Sequence, residues 1–433
     1  MTSSQLDRDP VEVERKPTRG VLTSLRISKQ FRFLWVSNMF FFGGAWTQTL
    51  IFSWLVLEKT GSTFLLALFT AVRLAPLLLG PFGGVISDRF DRVRFLIVST
   101  CWTLVTISLV TVAISLDRAP YWVLLLGGLS IGLGQSPSQP ARSALVLDVV
   151  SRENLSNANA LNAMAMNMTQ VIGPAMGGGM ISAFGAPAAL WVSTTWYVVS
   201  LVALFPLLAA TFERHVFIEP ARSMIVGGFR TVVTNRLTAT IIVITLFANI
   251  LIWPVYQTFV PVFAVEILGL DAAGLGWLLT CVGAGGLVGS LAIASLGDFR
   301  FKGGYFVIGT GVWGALWALF ALSTNTALSF ALMFAIGVMS APFGVLQTTL
   351  LLMTTEPRIQ GRALGMLQFA IGVMPISALV LGSIADQIGV SATTAICGVL
   401  MAASMVAVGL KVPEMLGYSG IEPAAPASQL DAA

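Results

Sequence analysis

The chain has 433 residues, of which 56% are hydrophobic and only 10% are charged, and its mean hydropathy is +0.86. This composition excludes an ordinary water-soluble globular protein and is typical of a protein that crosses a membrane many times. The formal net charge of +4 gives no sign of nucleic-acid binding.

The first 32 residues are polar and charged, and we predict that they form an N-terminal tail in the cytoplasm. They contain no apolar stretch of the kind that a signal peptide needs. Twelve apolar segments follow, most of them close to the roughly 20 residues that a helix needs to cross a bilayer. The predicted segments are 33–57, 63–87, 95–116, 122–147, 157–183, 187–211, 239–265, 274–296, 304–323, 327–353, 362–386 and 391–411.

A long polar interruption at 212–238 divides the twelve segments into two sets of six. We therefore predict an N-terminal six-helix bundle at 33–211, a cytoplasmic linker at 212–238, a C-terminal six-helix bundle at 239–411 and a cytoplasmic C-terminal tail at 412–433. The segments are too long for the strands of an outer-membrane barrel and lack their alternation. The predicted fold class is an all-α polytopic membrane protein with 12 transmembrane helices.

The basic residues give the orientation. With both termini in the cytoplasm, all but three of the 24 Lys and Arg residues lie on the cytoplasmic side, as the positive-inside rule requires. Lys59 and Arg118 face outward, Arg73 lies within the second segment, and Arg142 is counted among the cytoplasmic bases. Arg142 also shares one helix face with Gln135.

Two motifs are similar to those of a known family. The stretch GGVISDRFDRVR, which closes the second segment, resembles the cytoplasmic loop motif of the major facilitator superfamily, with Gly84, Asp88, Arg89, Arg92 and Arg94 on its pattern. Asp91 stands where that motif usually has Gly, although Asp can adopt the left-handed backbone that a tight turn needs. VIGPAMGGG in the fifth segment resembles the Gly-Pro motif of the antiporters of that superfamily, with Gly173, Pro174, Gly177 and Gly178. The phrases FRFLWVSNMF and QPARSALVLDVV are similar to the bacterial branch of enterobactin and macrolide exporters.

The resemblance implies a major facilitator fold, in which two bundles enclose a central cavity and work by alternating access. It also implies a protein of the bacterial inner membrane that exports an amphipathic small molecule, such as a drug, a macrolide or a siderophore. For the loop motif it implies a gate latch, in which Asp88 caps the eleventh helix near Arg362; a loop that only fixes topology is the alternative. For the Gly-Pro motif it implies movement against the eighth helix, where Gly285 and Gly289 offer a small-residue face; ordinary packing is the alternative.

Polar residues within the apolar segments form the predicted substrate cavity. Counting about 1.5 Å per residue from the helix ends puts Gln48, Arg73, Gln135 and Gln170 at one level, roughly 18 to 23 Å deep. Transporter sites are expected near the midplane, at the interface of the two repeats. The other predicted cavity residues are Asn38 and Asn162 from the N-terminal half and Trp253 and Tyr256 from the C-terminal half.

Arg73 is the only charged residue at this level, and a guanidinium keeps its proton inside a membrane. We expect it at the edge of the cavity, with Gln48, Gln135 and water as neighbours, where it can bind an anionic or electron-rich group of the substrate. The alternative is a structural arginine that bonds to neighbouring helices or extends toward the outer surface.

No pattern indicates enzymatic chemistry, and we expect no cofactor and no metal. The single histidine, His215, lies in the linker, and there is no phosphate loop or catalytic triad spacing. An ATP-binding module and a nucleic-acid partner are not expected either, so a proton or ion gradient would supply the energy. The expected partners are the lipid bilayer and a small-molecule substrate. Two other functions stay open: an importer of a small anion or lysolipid, and a non-transporting membrane receptor or regulator.

Overall fold

The structure is a computed structural model that describes residues 23–79, 91–150, 154–209, 235–297, 299–356 and 359–420. Nearly all of these residues are helical and none of them forms a strand, so the predicted all-α class is confirmed for this part of the chain. Most of the predicted linker, together with Gly84, Asp88 and Arg89 of the loop motif, lies outside the described residues.

The described residues of the N-terminal half, within 23–209, form five helices of more than ten residues, besides the short helix Thr23–Ile27. They are α1 (Lys29–Thr60), α2 (Thr63–Leu74), α3 (Arg92–Ser115), α4 (Tyr121–Val149) and α5 (Leu155–Leu204). A 3-10 turn at Ala75–Leu79 continues α2. Helix α5 kinks at Gly185, whose φ of 81° lies in the left-handed region that glycine tolerates. The fifth and sixth predicted segments lie on its two arms.

The C-terminal half, residues 235–420, contains seven longer helices. They are α6 (Arg236–Leu251), α7 (Ala272–Ser295), α8 (Lys302–Ala321), α9 (Thr326–Met353), α10 (Gln360–Gly372), α11 (Met374–Ile388) and α12 (Val390–Lys411). Two π-helical stretches, Val255–Phe259 and Phe263–Ile267, extend α6 toward α7. Such stretches are frequent at functional sites because they rotate the side chains that follow them.

Side-chain caps fix where several helices begin. Ser28, Ser62, Asp91, Asp271 and Asn325 each accept a hydrogen bond from the backbone N–H three residues later, which satisfies one of the free amides of a first turn. Asp91 has a φ of −62°, so it does not use the left-handed backbone that Asp can adopt. The residue has the extended conformation of an N-cap for α3.

Nine helices within the described residues are long and apolar enough to cross a membrane, and Thr63–Leu78 is a shorter apolar helix. The described residues of the predicted segments are helical except at 116, 252, 296, 322–323 and 373. The outward face of α3 carries Val98, Trp102, Val105 and Leu109, all more than half exposed and spaced at three or four residues. A continuous exposed apolar stripe of this kind is stable only against lipid.

The two halves meet along two seams, one between α5 and α7 and the other between α2 and α11. We use the term outer end for the end of the molecule with the turns at 61–62, 116–120 and 322–325, which the predicted orientation places away from the cytoplasm. Contacts between the halves extend from that end inward, from Ala67 against Gly382 to Leu77 against Gly372.

Candidate functional site

A cavity lies between the two halves. It contains about 310 Å³ of empty space, part of which is open to solvent, and its lining residues are Trp46, Thr49, Leu50 and Ser53 of α1, Pro174 of α5, Tyr256, Gln257 and Pro261 of the extended α6, and Leu279 of α7. The lining is apolar and aromatic, with a few hydroxyl and amide groups. This composition suits an amphipathic ligand, because apolar surface provides most of the binding area while a few polar groups fix orientation.

Aromatic rings form the C-terminal wall of the cavity. The Tyr256 ring is 6.3 Å from that of Trp46 in the other half, 5.9 Å from Trp253 and 6.5 Å from Trp317, in each case edge to face. Tyr256 therefore lines this cavity, whereas Trp253 lies behind it. Trp46 was not predicted, although it shares a helix face with Thr49 and Ser53.

Arg73 lies directly behind the α1 wall. Its Nη2 donates to Thr49 Oγ1 at 2.6 Å, and the Thr49 hydroxyl donates to the carbonyl of Ala45 at 2.7 Å. The side chain is 8% exposed, and its Nε has no partner among the described residues. Among the described residues, the hydrogen-bond partner of Arg73 is Thr49 and neither Gln48 nor Gln135.

Gln48 and Gln135 instead bond to Tyr197 on the second arm of α5. The amide of Gln135 donates to the Tyr197 hydroxyl at 2.8 Å, and that hydroxyl donates to Gln48 Oε1, also at 2.8 Å. The two glutamines thus lie together, on either side of the Tyr197 hydroxyl. Gln170 is half-buried at the seam with α7, where its backbone carbonyl faces Gly283.

Arg142 is the largest departure from the sequence prediction. It was counted among the cytoplasmic bases, but it is 1% exposed and lies about 10 Å from the end of α4. Its guanidinium donates to Ser37, Asn38, Thr100 and Ser200, which belong to α1, α3 and α5, and lies 4.0 Å above the Phe41 ring. Arg142 thus joins four helices of the N-terminal half.

No buried carboxylate balances these two arginines within the part of the chain that the structure describes. Asp148, at the end of α4, pairs with Arg92 of the loop motif at 2.6 Å and so belongs to a different contact. Arg94 of that motif is exposed. A buried guanidinium without a counter-ion is costly, which makes the surroundings of Arg73 and Arg142 favourable for negative charge.

The four residues of the Gly-Pro motif face two different helices. A Cβ on Gly173 would lie 2.8 Å from the Trp46 side chain, and one on Gly177 would lie 3.3 Å from Thr47, so both pack against α1. Pro174 and Gly178 face α7 across the seam. A Cβ on Gly276 of α7 would lie 2.6 Å from the carbonyl oxygen of Pro174. Only these two residues lie at the interface between the halves.

The eighth predicted segment is α7 in the fold. The expectation that its Gly285 and Gly289 face the Gly-Pro motif of α5 is wrong. Gly285 and Gly289 pack against Phe334 and Val338 of α9, within the C-terminal half. The glycines of α7 that approach α5 are Gly276 and Gly283, which lie on another face of the helix. Close backbone approach on both faces explains why α7 needs so many glycines.

A hydrogen-bonded cap closes the outer end of the α5–α7 seam. Ser182 of α5 donates to Asp271 Oδ2 at 3.1 Å and accepts from the backbone N–H of Ala273 at 3.0 Å. Asp271 in turn accepts from the N–H of Gly274 at 2.8 Å. A residue of the N-terminal half therefore completes the N-terminal cap of a helix in the other half.

We expect Ser182→Ala to loosen this end of the seam. One hydrogen bond contributes about 0.5 to 1.5 kcal/mol, which corresponds to a shift of about two- to tenfold in an opening equilibrium. A cysteine replacing Ser53 in the cavity wall, with Cys101 and Cys281 replaced by serine, should then react faster with an impermeant maleimide added from outside. Ser404→Ala, whose hydroxyl bonds only within its own helix at 2.6 Å, is the control. An unchanged labelling rate would show that the cap does not hold the seam.

Comparisons with known proteins agree with this geometry. A family model described as transmembrane secretion effector matches residues 20–427. The multidrug efflux pump Tap of Mycolicibacterium fortuitum is 24% identical over 353 residues, which cover 79% of this chain and 86% of that protein. The staphyloferrin A transporter of Staphylococcus aureus is 21% identical over 379 residues, covering 85% and 92%. Among solved structures, the peptide transporter POT in complex with sulfate has a TM-score of 0.70 at 11% identity, covering 90% of this chain and 96% of that one. This last likeness concerns the fold alone.

Proposed function

The chain belongs to the transmembrane secretion effector family of the major facilitator superfamily, and from this membership we propose that it exports an amphipathic small molecule by alternating access. The family consists of membrane transporters rather than enzymes, so the predicted resemblance, the transporter class and the location in a bacterial membrane are confirmed. The direction, the substrate and the mechanism are our proposal.

One observation carries the proposal: the cavity is lined from both halves of the chain. Residues of α1 and α5 face residues of the extended α6 and α7 across it. A site at such an interface can open to either side when one half rocks against the other. The glycine contacts between α5 and α7 would form when the outer end closes and separate when it opens.

The proposal includes the topology of the family. Twelve spans would form two six-helix bundles at 33–211 and 239–411, with both termini in the cytoplasm. The kink at Gly185 supports this division, because it separates α5 into two arms that each match one predicted segment. The Lys and Arg distribution supports the orientation.

The substrate class follows from the cavity and from the relatives. The two relatives named above are a multidrug efflux pump and a siderophore transporter. The aromatic wall around Tyr256 would hold the apolar part of a molecule, and Arg73 behind Thr49 would attract its polar part. A proton or ion gradient would drive the cycle.

A strain without the gene tests the direction of transport. Its deletion should raise sensitivity to toxic amphipathic compounds or leave a normally secreted metabolite inside the cell. An importer would instead make the deletion strain take up less of its substrate. Purified protein in liposomes should then move the identified compound, whereas a receptor would give no flux.

Filling the cavity gives a matched pair of variants for that assay. Leu279→Trp places an indole ring in the cavity and should reduce flux by at least about fivefold, because overpacking a site costs about 1 to 3 kcal/mol. Leu291→Trp is the control, since Leu291 lies on the same helix and is 58% exposed. Equal flux in the two variants would remove this cavity from the transport path.

A further inference from the structure

Arg142 fixes the orientation of two amide side chains, first that of Asn38 and, through it, that of Asn162. Its Nη1 donates to Asn38 Oδ1 at 2.8 Å, and Asn38 Nδ2 donates to Asn162 Oδ1, also at 2.8 Å. A guanidinium carries only N–H donors and cannot accept a hydrogen bond. Asn38 must therefore turn its oxygen to Arg142 and its NH2 group to Asn162.

The same logic determines what Asn162 presents. Its oxygen is occupied by the amide of Asn38, so its own NH2 group points away from that contact and has no partner among the described residues. Asn162 is only partly buried, whereas Asn38 and Arg142 are almost fully buried. The charge of Arg142 thus leads, through two oriented amides, to a hydrogen-bond donor on a residue that is only partly buried.

Asn162 lies on the first arm of α5, on the helix face that carries Gly173 three turns later. It is about 18 Å from Pro174 of the cavity wall, on the side away from the outer end. A molecule that reached the cavity from the cytoplasm would pass this level first. The NH2 group of Asn162 would be a first polar contact for it, and Arg73 a second.

We propose that the Arg142–Asn38–Asn162 relay selects ligands with an anionic, oxygen-rich group, such as a carboxylate, sulfonate or phosphate, and disfavours cationic amphiphiles. This inference rests on the proposed transport function and names its substrate class. Two features support it: the donor at Asn162 has a fixed direction, and the two arginines buried in the N-terminal half have no buried carboxylate among the described residues. Asn162 is the specificity-determining residue, and Arg142 is a positioning residue that acts through Asn38.

Two probes of equal shape test the charge preference. They are 2-naphthalenesulfonate and (2-naphthyl)trimethylammonium, which share one aromatic body and carry opposite charges. Equilibrium binding to the purified full chain in detergent should favour the sulfonate by about tenfold, the effect expected of one charge-assisted hydrogen bond. Equal binding, or preference for the cation, would overturn the inference.

The variants separate the relay from simple electrostatic attraction. Asn162→Asp replaces the donor by an acceptor and should abolish the preference for the sulfonate, and Asn162→Leu should reduce it. Asn159→Asp adds the same charge one turn away on an exposed residue outside the relay, and should keep most of the preference. If the two aspartate variants lose the preference equally, long-range charge and not the relay is responsible.

Flux in liposomes is measured separately with the same probes. Charge-selective binding without flux of any compound would contradict the proposed transport function and leave the inference standing. Flux without charge-selective binding would support the transport function and overturn the inference about the relay.

Discussion

Gly178→Val should abolish most transport while the protein still inserts and folds. A Cβ at this position would collide with the carbonyl of Ala272 and lie 2.9 Å from the Cα of Gly276, so a side chain cannot fit while the α5–α7 seam is closed. Overpacking typically costs about 1 to 3 kcal/mol, enough to shift a two-state equilibrium by about 5- to 150-fold. Because alternating access requires the outer end to close in every cycle, we expect turnover in liposomes to fall at least about fivefold.

Gly179→Val is the matched control for this substitution. Gly179 is the next residue of the same helix, and a Cβ there has no atom within 4 Å. The two variants change helix propensity and hydrophobicity equally, and only the contact with α7 differs. Comparable turnover in both would show that closing this seam is not part of the transport cycle.

Arg73 and Arg142 should give opposite results when each is replaced by glutamine. Arg142 donates hydrogen bonds to three other helices, and bonds to a charged group contribute about 1.5 to 3 kcal/mol each. Arg142→Gln should therefore lower the melting temperature and the yield of folded protein strongly. Arg73 has one hydrogen bond within the described part of the chain, to Thr49, so Arg73→Gln should leave the yield close to that of the wild type and reduce substrate binding.

The conservative variant distinguishes a charge effect from a structural one at Arg73. Arg73→Lys keeps the positive charge but loses the planar fork, so it should weaken transport less than Arg73→Ala or Arg73→Gln. Yield, melting temperature and substrate affinity are measured for all three variants. A fall in yield with unchanged affinity in the folded fraction would identify Arg73 as a structural residue.

The Gly-Pro motif shows what residue spacing predicts about a helix and what it does not. Residues three or four apart share a helix face, so the sequence correctly groups Gly173 with Gly177. It does not say which neighbour that face meets. In the fold Gly173 and Gly177 face α1, whereas Pro174 and Gly178, about 100° around the helix, face α7. The assignment of Gly285 and Gly289 to the same seam is wrong for the same reason.

Arg142 shows that the distance of a residue from its helix end does not decide whether its side chain is buried. Its distance from the end of α4 is compatible with either a surface base or a buried one, because a long side chain can extend toward water or turn inward. The polar partners that hold it inside lie on α1, α3 and α5, far away in sequence. Its shared face with Gln135 was the only local sign that it turns inward.

The sequence by itself determined the class of the protein, the positions of its helices and the motifs of its family. Lipid forces every spanning segment to satisfy its own backbone and to be apolar over a fixed length, so these features are readable locally. Only the tertiary structure decided which polar side chains meet: Arg73 with Thr49, Gln48 with Tyr197, and Arg142 with Asn38. Those contacts depend on how each helix is rotated and packed against its neighbours, and that rotation is set by the close fit of side chains from distant segments.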